Sequence, residues 1–195
     1  MNQNPEFAFE VRKFEDLKME VEDGYNKMKP KLYTAKTGSK ITFKPMRLED
    51  APLIHTYASD EDVSRYIGWK LMTTIGETTA YVKEMVRREE AGTHLYASIY
   101  ERDSGVLIGT GMLFNFDDEA RQAEIGYVFH KDYWGKGYAS EALNGLKEWI
   151  FSDPSVNAIF GDTDIDNYSS HKVLINAGAV NFLEKNDTIW WKISR

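Results

Sequence analysis

The segment from Glu124 to Leu143 reads Glu-Ile-Gly-Tyr-Val-Phe-His-Lys-Asp-Tyr-Trp-Gly-Lys-Gly-Tyr-Ala-Ser-Glu-Ala-Leu and has the pattern of a strand, a turn of small residues and a helix. A diphosphate binds well where several backbone N–H groups and the positive end of a helix point to one place. Close approach requires residues without bulky side chains, as Gly135, Gly137 and Ala139 provide. The segment therefore predicts a phosphate-binding turn.

A Gly-x-Gly turn before a helix is a weak signal when taken alone, because tight turns also use glycine. A dinucleotide-binding protein is the first alternative, and it needs Gly-x-Gly-x-x-Gly early in a parallel sheet. Ser140 stands where the last glycine of that pattern is required. Asp162 or Asp164 can imitate the acidic residue that binds the ribose in that class, so a nucleotide-binding oxidoreductase stays open as an alternative.

Three strand-like segments lie before the turn: His94 to Tyr100, Val106 to Phe116, and Ala123 to Phe129. The connections at residues 103–105 and 117–119 are so short that the three strands must run antiparallel. Farther upstream, Ile41 to Arg47 predicts a strand. Helical segments are predicted from Leu48 to Ala58 and from Glu77 to Ala91.

After the turn, the pattern predicts a helix from Tyr138 to Phe151, a strand from Ala158 to Thr163, a helix from Asn167 to Ala177, and two closing strands. Strands joined through a helix lie parallel. We therefore expect an α/β (α+β) fold with a mixed, mostly antiparallel sheet flanked by helices.

Residues 1–38 predict an amphipathic helical extension that precedes the main domain of residues 39–195. Its apolar positions fall on one helical face: Phe7, Val11, Phe14, Leu17, Val21, Tyr25 and Met28. Gly24 weakens this helix and Pro30 ends it. Packing on its own domain or a homodimer contact is the favoured role, and a lid over the substrate is the alternative.

The composition narrows the classes of function for this chain of 195 residues. Acidic residues outnumber basic ones by 31 to 24, and the net charge of -7 disfavours nucleic acid as a partner. The absence of cysteine excludes a cysteine acyl-enzyme and thiolate metal sites, and the four histidines lack metal-ligand spacing. The sequence has neither a signal peptide nor a membrane-spanning segment, so we expect a cytoplasmic protein.

The motifs Glu124 to Tyr127 and Tyr133 to Ala139 resemble the acetyl-CoA motif of the GNAT superfamily of N-acetyltransferases. The resemblance is strongest to the ribosomal-protein N-terminal acetyltransferases of the RimJ/RimL type. It includes Asp60 to Trp69 and Asn167 to Ala179, and extends from about Ile41 to the end of the chain.

The resemblance implies that acetyl-CoA lies between two splayed parallel strands, 123–129 and 158–163, with its pyrophosphate on the turn. The implied contacts are Tyr127, Val128, Trp134, Gly135, Lys136, Gly137, Tyr138, Ala139, Ser140, Asn167 and Ser170. Asn167 also suits a helix N-cap. This chain departs from the family at three positions, with Trp134 for Gln or Arg, Leu174 for a tyrosine, and Ala179 for Phe.

Amine acetylation requires a base, because an amine with a pKa near 10 is mostly protonated at neutral pH. Glu124 is the first candidate, on a strand that places its side chain opposite to Ile125 and Tyr127, and a solvated carboxylate is the alternative. Ser170 matches the serine expected near the cofactor sulfur, where it would protonate the leaving thiolate, with Tyr168 as a substitute. The resemblance implies direct attack in a ternary complex, and a backbone N–H near Val128 would polarise the thioester.

The acceptor is expected to be a small amine or a protein N-terminus. Residues 66–76 and 115–121 would set its identity, and acidic residues near both segments suit a cationic acceptor: Asp60, Glu61, Asp62, Asp117, Asp118 and Glu119. A non-catalytic acyl-CoA-binding or regulatory module is the alternative function.

Overall fold

A single seven-stranded sheet organises the molecule. The computed structural model describes residues 33, 40–67, 69–117 and 121–195. The strands lie in the order β1-β2-β3-β4-β5-β7-β6. They are β1 (Ile41–Pro45), β2 (Leu95–Glu101), β3 (Leu107–Asp117), β4 (Gln122–Phe129), β5 (Ala158–Asp164), β6 (Val180–Lys185) and β7 (Thr188–Ser194).

Five α-helices accompany the sheet in the described ranges. They are α1 (Ala51–Ala58), α2 (Glu61–Ser64), α3 (Ile75–Glu90), α4 (Tyr138–Ile150) and α5 (Tyr168–Asn176). Helix α3 begins two residues before the predicted start because Thr74 caps it: the Thr74 hydroxyl accepts from the Glu77 N–H, and the Glu77 carboxylate accepts from the Thr74 N–H. Helix α2 is too short to show apolar residues at helical spacing, and the residue pattern did not predict it.

Helices cover both faces of the sheet, which gives the core two layers. On one face Ile125 of β4 belongs to a buried cluster with Leu143 and Leu146 of α4. On the other face Val128 of β4 belongs to a second cluster with Ile54 of α1 and residues of α3. Since successive strand residues point to opposite faces, β4 contributes to both layers.

The pairing of β4 with β5 is the one parallel ladder among the described strands, and all other ladders are antiparallel. It joins residues 122–124 to residues 158–160, and it does not continue to the rest of β4. The two strands therefore separate toward the end that leads into the turn. The predicted mixed sheet with splayed central parallel strands is confirmed.

The predicted helix within residues 1–38 lies outside the described residues except for Tyr33, and it stays a prediction. The Tyr33 hydroxyl donates a hydrogen bond to the buried Glu89 carboxylate at 3.0 Å. None of the described helices has the length and apolar character needed to cross a membrane.

Candidate active site

The turn that precedes α4 has the geometry of an anion-binding site. Gly135 and Gly137 have φ values of +71° and +85°, a left-handed conformation that favours glycine. Within the described part of the chain, the backbone N–H groups of residues 135–140 donate to no backbone carbonyl of another strand or loop. Helix α4 starts at Tyr138, so these N–H groups lie at its positive end. A diphosphate is the kind of ligand that this arrangement favours.

Contacts with the end of β4 and with Lys40 hold the turn in place. The Trp134 indole N–H donates to the Phe129 carbonyl at 2.9 Å. The Lys40 ammonium donates to the Lys136 carbonyl at 2.9 Å, and the Glu141 carboxylate accepts from the Lys40 backbone N–H at 2.8 Å. Lys40 thus brings a second positive charge, beside that of Lys136, to the turn.

The sequence pattern does not single out Lys40, because no motif connects it with a turn 96 residues away. Pairing of β1 at the edge of the sheet places it there. The sequence offers only its position directly before the predicted strand Ile41 to Arg47.

A chain of hydrogen bonds connects α5 with β4. The Asn167 side-chain carbonyl accepts from the Ser170 backbone N–H at 3.2 Å, which makes Asn167 the N-cap of α5. The Ser170 hydroxyl lies 2.7 Å from the Tyr127 hydroxyl. Burial raises the pKa of Tyr127 to about 12, although the hydrogen bond to Ser170 acts in the opposite direction. The structure therefore brings these three predicted site residues together.

Glu124 lies on the opposite face of β4 from Tyr127, as strand alternation predicts. Its side chain is half-buried, and burial raises its pKa, with a further increase from the charge of Asp162. A hydrogen bond to the Asn115 side chain lowers the pKa, by less than burial raises it but by more than the charge of Asp162 raises it. Asp162 is exposed as a whole residue, yet lost hydration at its carboxylate raises its own pKa. The grouping with Asn115 and Asp162 was not predicted, because it depends on strand register.

The other predicted site residues are scattered. Val128 is buried in the layer beside α1 and α3. Tyr168, the substitute acid, is 66% exposed and packs against the His171 ring. Leu174, which stands where the family resemblance implies a tyrosine, is buried in the core.

Part of the acidic surface predicted to attract a cation is already paired. The Lys131 ammonium lies 2.5 Å from an Asp60 carboxylate oxygen and 3.8 Å from Asp62. Hydrogen bonding with Lys131 lowers the pKa of Asp60. This ion pair connects α2 with the segment that follows β4.

Trp69, in the segment predicted to select the acceptor, belongs to an aromatic group. Its ring stacks on Tyr57 at 6.4 Å and meets the edge of Tyr81 at 5.2 Å. Its indole N–H donates to the Ser64 hydroxyl at 3.3 Å. These contacts anchor Trp69 in the layer beside α1 and α3.

Within the described ranges, no group of three or more histidine, aspartate or glutamate residues is arranged to hold a metal ion.

Comparisons with known proteins agree with this geometry. The family model for the acetyltransferase (GNAT) domain matches residues 40–180. The uncharacterized N-acetyltransferase p20 of Bacillus licheniformis is 31% identical over 143 residues, which are 73% of this chain and 78% of that protein.

Solved structures share the fold. RimL, a ribosomal L7/L12 α-N-protein acetyltransferase solved with coenzyme A, has a TM-score of 0.72 at 13% identity over 81% of this chain and 96% of that one. A spermidine N-acetyltransferase from Vibrio cholerae, solved with CoA and spermine, has a TM-score of 0.69 at 16% identity over 80% of this chain and 96% of that one. The chain belongs to the GNAT acetyltransferase family and is an N-acetyltransferase.

Proposed function

We propose that this enzyme transfers the acetyl group of acetyl-CoA to a cationic primary amine by direct attack in a ternary complex. The observation that carries the proposal is the row of N–H groups at residues 135–140, at the positive end of α4 and beside the place where β4 and β5 separate. A diphosphate on these groups would direct the rest of the cofactor into the opening between the strands. The ammonium groups of Lys40 and Lys136 complement its charge.

The proposed cofactor contacts form two groups, one for the diphosphate and one for the arm that carries the thioester. Trp134, Gly135, Lys136, Gly137, Tyr138, Ala139 and Ser140 form the turn that would hold the diphosphate. Tyr127, Asn167 and Ser170 lie where β4 meets α5. Together with the backbone of Val128, they would contact the arm that carries the thioester.

The reaction needs a base on the acceptor side and an acid on the cofactor side. Glu124 is the proposed base, because a raised pKa makes a carboxylate a stronger base at neutral pH. The amine nitrogen forms a bond to the thioester carbon as the carbon–sulfur bond breaks. Glu124 takes the amine proton, directly or through water, and Ser170 donates a proton to the departing thiolate.

The acceptor is proposed to be a small amine or a peptide N-terminus. RimL is a protein acetyltransferase, and the Vibrio cholerae protein acts on spermidine. A positive charge is common to these acceptors. Glu124 and Asp162, both carboxylates on one face of the sheet, favour it here.

The proposal also covers the location of the enzyme, its partners and its oligomeric state. The reaction consumes acetyl-CoA, which fits a cytoplasmic enzyme. Neither nucleic acid nor a membrane is a proposed partner. A homodimer through the helix predicted in residues 1–38 stays a prediction that the oligomeric state of a truncated chain would test.

Thermal unfolding with and without cofactor tests the binding step. Acetyl-CoA at about 100 times its dissociation constant should stabilise the protein by about 2.7 kcal/mol, whereas NAD should leave the melting temperature unchanged. No stabilisation by millimolar acetyl-CoA contradicts the proposal, and stabilisation by NAD alone supports a nucleotide-binding oxidoreductase.

Thiol release from acetyl-CoA with a panel of amines tests the chemical step. The panel should contain polyamines, aminoglycosides and short peptides with free N-termini, and N-acetylated peptides serve as matched controls. We expect release only with free amines. Binding without release across the panel supports a non-catalytic acyl-CoA-binding module.

A further inference from the structure

We propose that Tyr127 is a positioning residue, which donates its hydroxyl proton to Ser170 in a hydrogen bond and so directs the serine's own proton toward the cofactor sulfur. The inference rests on the proposed acetyl transfer. It changes the role of Tyr127 from a cofactor contact to a group that acts through Ser170.

Ser170 is held from two directions. Its backbone N–H donates to Asn167 at 3.2 Å, which fixes the first turn of α5. Its hydroxyl lies 2.7 Å from the Tyr127 hydroxyl, which fixes the side chain. A serine hydroxyl has one proton and two lone pairs. If one lone pair accepts from Tyr127, the proton is free to point elsewhere.

The chemistry of the two hydroxyls determines the direction of this hydrogen bond. A phenol is more acidic than an aliphatic alcohol, and so it is the stronger donor. Burial raises the pKa of Tyr127 to about 12, so the phenol keeps its proton at neutral pH. Tyr127 therefore donates, and Ser170 accepts.

The ring of Tyr127 also has a fixed position. It packs against the buried cluster beside α4 and lies 6.3 Å from the Phe129 ring. A rigid donor loses little conformational entropy when it orients a neighbour. The Tyr127 hydroxyl is thus preorganised for the serine.

The proton balance is simple. As the carbon–sulfur bond breaks, its electron pair stays on sulfur, and the Ser170 proton moves to that sulfur. The hydrogen bond from Tyr127 stabilises the negative charge that develops on the serine oxygen. Ser170 recovers a proton from water after the reaction, and the hydroxide that this leaves is neutralised by the proton that Glu124 took from the amine. Tyr127 keeps its own proton.

A double-mutant cycle tests the inference. Tyr127→Phe retains the ring and removes only the hydroxyl. It should lower kcat about tenfold, which corresponds to about 1.4 kcal/mol and to the loss of one hydrogen bond. The KM for acetyl-CoA should change less than about twofold, because the lost hydrogen bond acts in the transition state and the binding of acetyl-CoA itself is unchanged. Ser170→Ala should lower kcat further.

The double variant separates positioning from a structural role. If Tyr127 acts only through Ser170, the double variant should have the kcat of Ser170→Ala alone. In a Ser170→Thr background, which keeps a hydroxyl, Tyr127→Phe should again lower kcat. Ser169→Ala is the matched control, since Ser169 is an exposed neighbour on α5. It should leave kcat unchanged.

Three outcomes overturn the inference. They are an unchanged kcat in Tyr127→Phe, additive losses in the double variant, and a raised KM for acetyl-CoA at constant kcat. The wild-type chain distinguishes these outcomes from failure of the proposed function. If the wild-type protein releases no thiol with any amine, the acetyl-transfer proposal fails first. If it does and the cycle is additive, only the role of Tyr127 fails.

Discussion

The two faces of β4 carry different chemistry. The face toward α5 has the neutral hydroxyls of Tyr127 and Ser170, whereas the opposite face has the carboxylate of Glu124 near that of Asp162. The period of two along a strand separates them. The proposed acid and the proposed base therefore lie on the two sides of one opening. Changes on each side should give distinguishable kinetic effects.

The largest effect is expected at the turn that serves the cofactor side. Gly137→Val places a β-branched residue at a φ of +85°, where side chains are strained. The N–H groups of the turn should lose their common direction. Affinity for acetyl-CoA should fall about 100-fold or more, equivalent to roughly 2.7 kcal/mol. Isothermal titration of the purified variant measures this loss.

Gly178→Val is the matched control for strain. Gly178 has a φ of +89°, and an added Cβ would meet no atom within 4 Å. It lies beyond the C-terminal end of α5. This control should lower stability and keep cofactor affinity. Equal affinity losses in both variants would mean that strain alone, and no phosphate site, explains the effect.

The acceptor side should respond next. Glu124→Gln keeps the size of the side chain and removes the base, so kcat should fall about 100-fold at neutral pH. Acetyl-CoA affinity should not change, which is the opposite of the turn variant. The wild-type rate should fall at acidic pH as Glu124 becomes protonated, and the Glu124→Gln rate should not show this fall. Glu184→Gln, an exposed strand carboxylate, is the control, and equal rates for Glu124→Gln and the wild type would remove Glu124 from the mechanism.

The smallest effect is expected from Asp162→Asn. The charge of Asp162 contributes to the raised pKa of Glu124, so its removal should lower that pKa. A base works in its ionised form, and the acidic limb of the rate profile should move to lower pH with little change in the plateau. Rate against pH for both proteins measures the shift. An unmoved limb, or the same shift in the Glu124→Gln background, would assign the limb to another group.

Local patterns predicted much of the sheet and the turn. The segment from Glu124 to Leu143 was predicted correctly as strand, turn and helix because its signals are local: a short apolar run, two glycines and a helical period. The directions of the central strands followed from connection length, which separates antiparallel hairpins from parallel helical crossovers. The family resemblance added the splayed parallel pair.

Long-range contacts could not be predicted in this way. Lys40 reaches the turn through edge pairing of β1, and Asp162 reaches Glu124 through the register of β4 and β5. The bond between Tyr127 and Ser170 depends on how α5 packs on the sheet. None of these contacts leaves a pattern in adjacent residues. Local signals were therefore enough to predict most of the helices and strands correctly. The roles of individual side chains depend on long-range contacts, and they stay proposals.

The attachment of Lys40 to the turn and to Glu141 has a practical consequence for where the chain can be cut. A truncation that starts at residue 40 would put a charged, freely rotating terminus where a backbone amide now donates to Glu141. One that starts at residue 41 would delete the lysine as well. Expression of the catalytic domain alone should therefore keep several residues ahead of Lys40, even if the extension itself proves dispensable.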